Sequence, residues 1–148
     1  MKLATWNINS VRLRLPLVLQ FLQEADIDVL CLQETKTEDQ YFPAAAFAEA
    51  GWSHQVFRGE KSYNGVAIIS RHALSDNQHN DWAGKSDCRH IAAVTADGVR
   101  IDNFYVPAGG DIADPDENPK FAHKLQFIDE MTQHFWANPP SGRFWWVI

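Results

Sequence analysis

The stretch Ile27-Asp28-Val29-Leu30-Cys31-Leu32 is an almost unbroken apolar run with one early acid, and it limits the fold more than any other feature of the chain. A strand that is apolar at consecutive positions, rather than alternating, is covered on both faces. Upstream, Lys2 to Ile8 does alternate, with Leu3, Thr5 and Asn7 on one side and Ala4, Trp6 and Ile8 on the other, which predicts a first strand. Between the two, Leu15, Val18, Leu19 and Leu22 recur at helical spacing from Val11 to Ala25, behind Ser10 as the expected N-cap and with Pro16 early enough to be tolerated. A strand, helix and strand with a crossover of this length predict parallel pairing and an α/β fold. Both strands then finish at the same edge of the sheet.

Further along, the pattern predicts a short Ala-rich helix from Phe42 to Ala50 closed by Gly51, followed by strands from Trp52 to Phe57 and from Gly65 to Ser70, which read as an antiparallel pair. Arg71 to Arg89 has no period and reads as a long surface loop. Ile91 to Thr95 and Val99 to Val106 read as a hairpin around Ala96-Asp97-Gly98. Asn118-Pro119 opens a helix with Phe121, Leu125, Ile128, Met131 and Phe135 on one face, ending near Ala137. Phe144 to Ile148 has the composition of a central strand.

The bulk numbers bound the function. A chain of 148 residues, 45% hydrophobic and 22% charged, suits one soluble domain spanning residues 1–148. No apolar run reaches the roughly 18 residues of a membrane span, and two isolated cysteines, Cys31 and Cys88, support no disulfide framework, so a cytoplasmic protein is expected. A net charge of -6 argues against a protein that coats nucleic acid electrostatically, but not against an enzyme that grips a few phosphates locally.

Two residues stand out chemically. Asn7 and Glu34 are oxygen ligands at the carboxyl ends of neighbouring strands, where ligands sit in open α/β sheets. A carboxylate there wants a cation, an Arg or Lys, or several donors, and Mg²⁺ suits such oxygens. Spacing alone allows a blander reading, in which Glu34 caps a turn or pairs with Lys36 and Asn7 closes a backbone turn. Tyr105 ends its strand before Val106-Pro107-Ala108-Gly109-Gly110 and should point into the same crevice, or else be a packed aromatic with a hydrogen bond. His54, His72, His79, His90, His123 and His134 fall at no metal-ligand spacing and read mostly as surface or loop residues. The acidic run at Asp111, Asp114, Asp116 and Glu117 reads as a solvated loop leading into a helix N-terminus.

Taken in order, Trp6-Asn7-Ile8-Asn9-Ser10-Val11-Arg12, Leu32-Gln33-Glu34-Thr35-Lys36, Tyr63-Asn64-Gly65-Val66-Ala67 and Asn103-Phe104-Tyr105-Val106-Pro107 resemble the exonuclease III and apurinic/apyrimidinic endonuclease family of DNA repair. The resemblance implies the N-terminal half of a four-layer α/β sandwich, a mixed sheet with flanking helices. It implies Asn7 and Glu34 as ligands of Mg²⁺, with Mn²⁺ as a substitute, and Tyr105 as the catalytic-site tyrosine on the scissile phosphate. Asn9, Arg12 and Lys36 fall where relatives place groups near DNA or the metal. The implied partner is double-stranded DNA with an abasic site or a 3′ end, cut by endonuclease and 3′–5′ exonuclease action.

The chain also departs from the family pattern. Asn9 is an acid in some relatives, and Ala108 stands where several carry a polar residue. Family members continue from a strand like Phe144 to Ile148 into a Gly-Asp-x-Asn turn and later Asp-bearing and Ser-Asp-His motifs, none of which occurs here. The resemblance therefore implies a C-terminally truncated domain, impaired or inactive, that supplies essentially one sheet and self-associates through its uncovered face. Two other readings stay open: a relative acting on a small or lipid phosphodiester, and a non-catalytic module.

Overall fold

A computed structural model describes all 148 residues. The opening forms as expected: β1 (Leu3–Asn7), α1 (Val11–Glu24) and β2 (Val29–Gln33), with β1 and β2 parallel and Asn7 level with Gln33. A 3₁₀ turn at Asp39–Tyr41 precedes α2 (Ala44–Glu49), and β3 (His54–Arg58) pairs antiparallel with β4 (Val66–Ser70). These four strands form one sheet in the order β1-β2-β4-β3. A second sheet contains β5 (Leu74–Gln78), β6 (His90–Thr95), β7 (Val99–Phe104) and, after α3 (Pro119–Ala137), β8 (Arg143–Val147), in that order.

The expectation of one sheet with an uncovered face is corrected by this second sheet, which covers the face through which self-association was expected. Val29, Cys31, Val56, Val66 and Ile68 of the first sheet pack against Ile91, Ala93, Ile101 and Val147 of the second. The opposite faces carry helices: Leu30, Leu32, Ala67 and Ile69 lie under Val18 and Leu22 of α1 and Phe47 of α2, while Phe104 packs on Phe127 and Phe135 of α3. The layers therefore run helix, sheet, sheet, helix. The apolar run at Val29 to Leu32 is explained by this order, since odd positions meet the second sheet and even positions meet the helices.

Four local expectations are also corrected. The 71–89 stretch contains β5, whose polar, solvent-facing sequence left no alternation to read, and Trp82, which is buried under α3. Ser10 makes no side-chain cap, because its φ is 86° and the first free N–H groups of α1 are taken by backbone carbonyls: Ser10 N–H donates to Glu34 O and Val11 N–H to Thr35 O. β8 lies at the edge of its sheet, not in its centre, leaving Phe144, Trp145 and Trp146 between 41% and 49% exposed. His90 is fully buried, stacked on Phe104, not a surface residue. No helix is long and apolar enough to cross a membrane.

His90 carries a consequence for acid stability. Its Nδ1 accepts from the Asn80 N–H at 3.0 Å, so the proton sits on Nε2 and is donated to Asp102 Oδ1 at 3.2 Å. Asp102 also takes a two-pronged contact from Arg100, at 2.8 and 2.9 Å. Burial holds the His90 pKa below its ordinary value, and although burial acts against ionised Asp102, the bonds from His90 and Arg100 outweigh it and keep that pKa low too. As pH falls through ~6.5, the unfolded histidine takes up a proton that the folded one refuses, so stability is lost, and Asp102 adds a further loss near and below ~3.9. Unfolding free energies from urea titration should hold near pH 7.5 and fall below pH ~6.5, by up to about 1.4 kcal/mol per pH unit for the single proton on His90.

Candidate active site

The site lies where β1, β2 and β7 end together. Thr5 and Asn7, Cys31 and Gln33, and Ile101 with Asn103 all fall on odd positions, the side that faces the gap between the sheets, and Tyr105 continues that side just past β7. Beyond β2 the chain turns sharply, with Glu34 at φ 53° and Lys36 at φ 50°, both in the left-handed region that costs a non-glycine residue energy. Neighbouring backbone holds this turn: Thr35 N–H donates to Gly65 O, Lys36 N–H to Asn64 O, and Gly65 N–H to Cys88 O. The packing leaves no room at Gly65, where an added Cβ would stand 2.1 Å from Thr35 Oγ1.

The turn delivers Glu34 to Asn7. Asn7 Nδ2 donates to Glu34 Oε1 at 2.7 Å, and Lys36 Nζ lies 3.0 Å from Glu34 Oε2. Lys36 also donates to Asn9 Oδ1 at 2.7 Å. Burial, the strongest single influence, acts to raise the Glu34 pKa, but hydrogen bonds from Asn7, Lys36 and Tyr105 together outweigh it and hold the carboxyl below its ordinary range. Tyr105 shows the reciprocal effect: burial first, then its bond to Glu34, pushes the phenol up, so it stays protonated and serves as a donor. Asn7, Glu34, Tyr105, Asn9 and Lys36 are thus brought together. Arg12 is not among them, since its guanidinium lies 5.6 Å over the exposed ring of Tyr41.

Arg89 was not singled out in the sequence because it closes the stretch read as a loop. Its guanidinium lies 4.7 Å over the Tyr105 ring, donates to the Tyr105 carbonyl at 3.2 Å, and is steadied by Asp87 at 2.6 Å. Arg89 and Tyr105 line a groove with Lys85, Gly109, Lys120 and His123, a local concentration of positive charge on a protein of net charge -6. The one readable signal was position, because Arg89 immediately precedes β6, beside the end of β7.

The donor set fits a hard divalent cation. Asn7 Oδ1 and the Glu34 carboxylate are both oxygens, and the ammonium of Lys36 already rests between Glu34 and Asn9. No group of three or more His, Cys, Asp or Glu side chains surrounds the position, so two protein oxygens would leave the other places to water and phosphate, as Mg²⁺ accepts.

The sequence profile described as Endonuclease/Exonuclease/phosphatase family matches residues 4–147. The chain belongs to that family. Within it, the chain groups with the exonuclease III and AP endonuclease branch, whose members are hydrolytic nucleases. It is similar to the AP endonuclease from Archaeoglobus fulgidus, at 38% identity and a TM-score of 0.85, over 95% of this chain and 52% of that one. It is also similar to the 3′ phosphatase NExo from Neisseria, solved bound to a product DNA hairpin, at 39% identity and a TM-score of 0.83, over 93% and 52%. The exodeoxyribonuclease of Bacillus subtilis is 38% identical over 74 residues, 48% of this chain and 28% of that protein. The family member described here therefore spans about half the length of the solved relatives it matches.

Proposed function

We propose that this family member carries the metal- and phosphate-gripping side of a site that hydrolyses DNA phosphodiesters, at abasic sites and at 3′ ends. The observation that carries the reading is Glu34: a partly buried carboxylate kept ionised by convergent donors, beside the free amide oxygen of Asn7 and facing a protonated tyrosine. Asn7 and Glu34 would hold Mg²⁺, or Mn²⁺ in its place, which when bound acts as a Lewis acid on phosphate oxygens. Tyr105 donates to a phosphate oxygen, Arg89 keeps the ring in place from behind, and Lys36 supplies a mobile positive charge once displaced from Glu34. Lys85 and Lys120 take the flanking backbone phosphates. The substrate is double-stranded DNA, and two buried free cysteines suit a reducing, cytoplasmic setting.

No group in the cluster is a ready acceptor of a proton from water, because the bonds that hold the Glu34 pKa low make its carboxylate a poor base, while Lys36 and Tyr105 are themselves donors. Lack of a general base costs about 10²- to 10⁴-fold in rate. Turnover by these 148 residues is therefore slow, and it is best read in single-turnover cleavage of a duplex holding one abasic site. The expected result is weak cleavage that needs Mg²⁺ or Mn²⁺ and vanishes in Glu34→Gln. Cleavage indifferent to chelator or to that substitution, or turnover of a small or lipid phosphodiester without any of DNA, would overturn the reading.

A further inference from the structure

Three polar side chains lie one layer below the site: Asn103 and Gln33 in the gap between the sheets, and Thr5 beside them on the exposed edge strand β1. Asn103 of β7 is fully buried and Gln33 of β2 is 5% exposed. Gln33 Nε2 donates across the gap to Asn103 Oδ1 at 2.7 Å and along its own sheet to Thr5 Oγ1 of β1 at 3.0 Å. Asn103 Nδ2 reaches the first sheet as well, donating to the main-chain carbonyls of Leu32 and Ala67, both at 2.9 Å. Burying two amides costs free energy unless their bonds are made, and here both N–H groups and the oxygen of Asn103 are used.

The placement gives this network its meaning. Thr5 lies two residues before Asn7, Gln33 one before Glu34, and Asn103 two before Tyr105. Each member thus sits under one group of the candidate site, Asn7 within β1 and Glu34 and Tyr105 just past the ends of β2 and β7, and for Thr5 and Asn103 on the same face. Apolar residues in this layer would fill the gap equally well, but dispersion contacts tolerate sliding of one sheet over the other, whereas directional hydrogen bonds fix the offset.

From this layering we infer that Thr5, Gln33 and Asn103 are positioning residues, a polar clamp that sets the distance of Tyr105 on one sheet from Asn7 and Glu34 on the other. The inference rests on reading those three groups as the metal and phosphate site. It adds that the geometry of the site is set from beneath, across the sandwich, and not by the turn at Glu34 alone.

The test compares Gln33→Met and Thr5→Val, which keep volume and remove the bonds, with the harsher Asn103→Leu, which removes the side-chain donors to Leu32 O and Ala67 O and the acceptor of Gln33 together. In Gln33→Met, Mn²⁺ affinity should fall about 10- to 100-fold, as for other groups that orient metal ligands from behind. Amide exchange should quicken about tenfold at Ser10, which bonds to Glu34 O, and at Tyr105, while Val56 and Ile68 in the body of the first sheet keep their protection. Thr5→Val should show the same pattern more weakly. Exchange that rises equally everywhere, or nowhere, overturns the clamp. If the unaltered protein shows no Glu34-dependent Mn²⁺ site, the metal reading fails, and the exchange pattern still decides the clamp.

Discussion

Glu34→Gln is expected to cost at least about 100-fold in Mn²⁺ affinity while changing the unfolding free energy by no more than about 1 kcal/mol. The two outcomes separate because different balances control them. For the metal, Glu34 would be the only charged ligand of the proposed two-oxygen set, and an uncharged amide in its place would leave nothing to offset dehydration of the ion. For the fold, the substitution removes charge-assisted bonds from Asn7, Lys36 and Tyr105, but it also removes the burial penalty that opposes ionisation of Glu34 more strongly than any single partner favours it. Lys36 is 30% exposed and can turn to water. Calorimetric Mn²⁺ titration beside urea unfolding reads both. Loss of affinity accompanied by a large loss of stability would point to a structural ion pair instead of a ligand.

Gly65→Ala is expected to be strongly damaging for a single added methyl, lowering stability by about 3 kcal/mol or more. Two costs add there. The residue holds φ at 93°, which an L side chain resists, and its Cβ would stand 2.1 Å from Thr35 Oγ1. Thr35 has no room to withdraw, being 1% exposed with its backbone N–H bonded to Gly65 O. Gly98→Ala is the control that separates the costs, because φ is 77° but nothing lies within 4 Å of the new methyl. It should lose only about 1 kcal/mol, the conformational part alone. Urea midpoints of the two variants measure the difference, and equal losses would mean that the contact with Thr35 is soft. Because Thr35 sits between Glu34 and Lys36, Gly65→Ala should also weaken Mn²⁺ binding in whatever fraction remains folded.

What could be read in the sequence follows from which patterns are local. β1, α1 and β2 were legible because their periods are strong, and Asn7, Glu34 and Tyr105 because a polar group at the end of an apolar strand is conspicuous. β5 was not, since Leu-Ser-Asp-Asn-Gln at a solvent-facing edge carries no apolar alternation. The second sheet was missed for a related reason: strands from Val66 to Ser70 and from His90 to Thr95 are apolar on both faces, and composition does not say whether a helix or another sheet covers them. β8 has the make-up of a central strand yet lies at an edge. Arg12 and Arg89 show the limit for side chains, because the rings they lie over, Tyr41 and Tyr105, are distant along the chain and only the fold brings them together. Asn103 and Gln33 stood inside recognisable motifs, but their pairing spans the gap between two sheets and had no signal along the chain.

A divalent cation held by Asn7 and Glu34 in front of Tyr105, as proposed, would be reported residue by residue through paramagnetic broadening by Mn²⁺. Added in small amounts to isotopically labelled protein, Mn²⁺ should first erase the side-chain amide of Asn7 and the ring signals of Tyr105, with recovery on excess Mg²⁺ and no such loss in Glu34→Gln. Broadening that begins instead at the acidic stretch from Asp111 to Glu117, or that persists at Asn7 and Tyr105 in Glu34→Gln, would mean that Asn7 and Glu34 do not hold the ion.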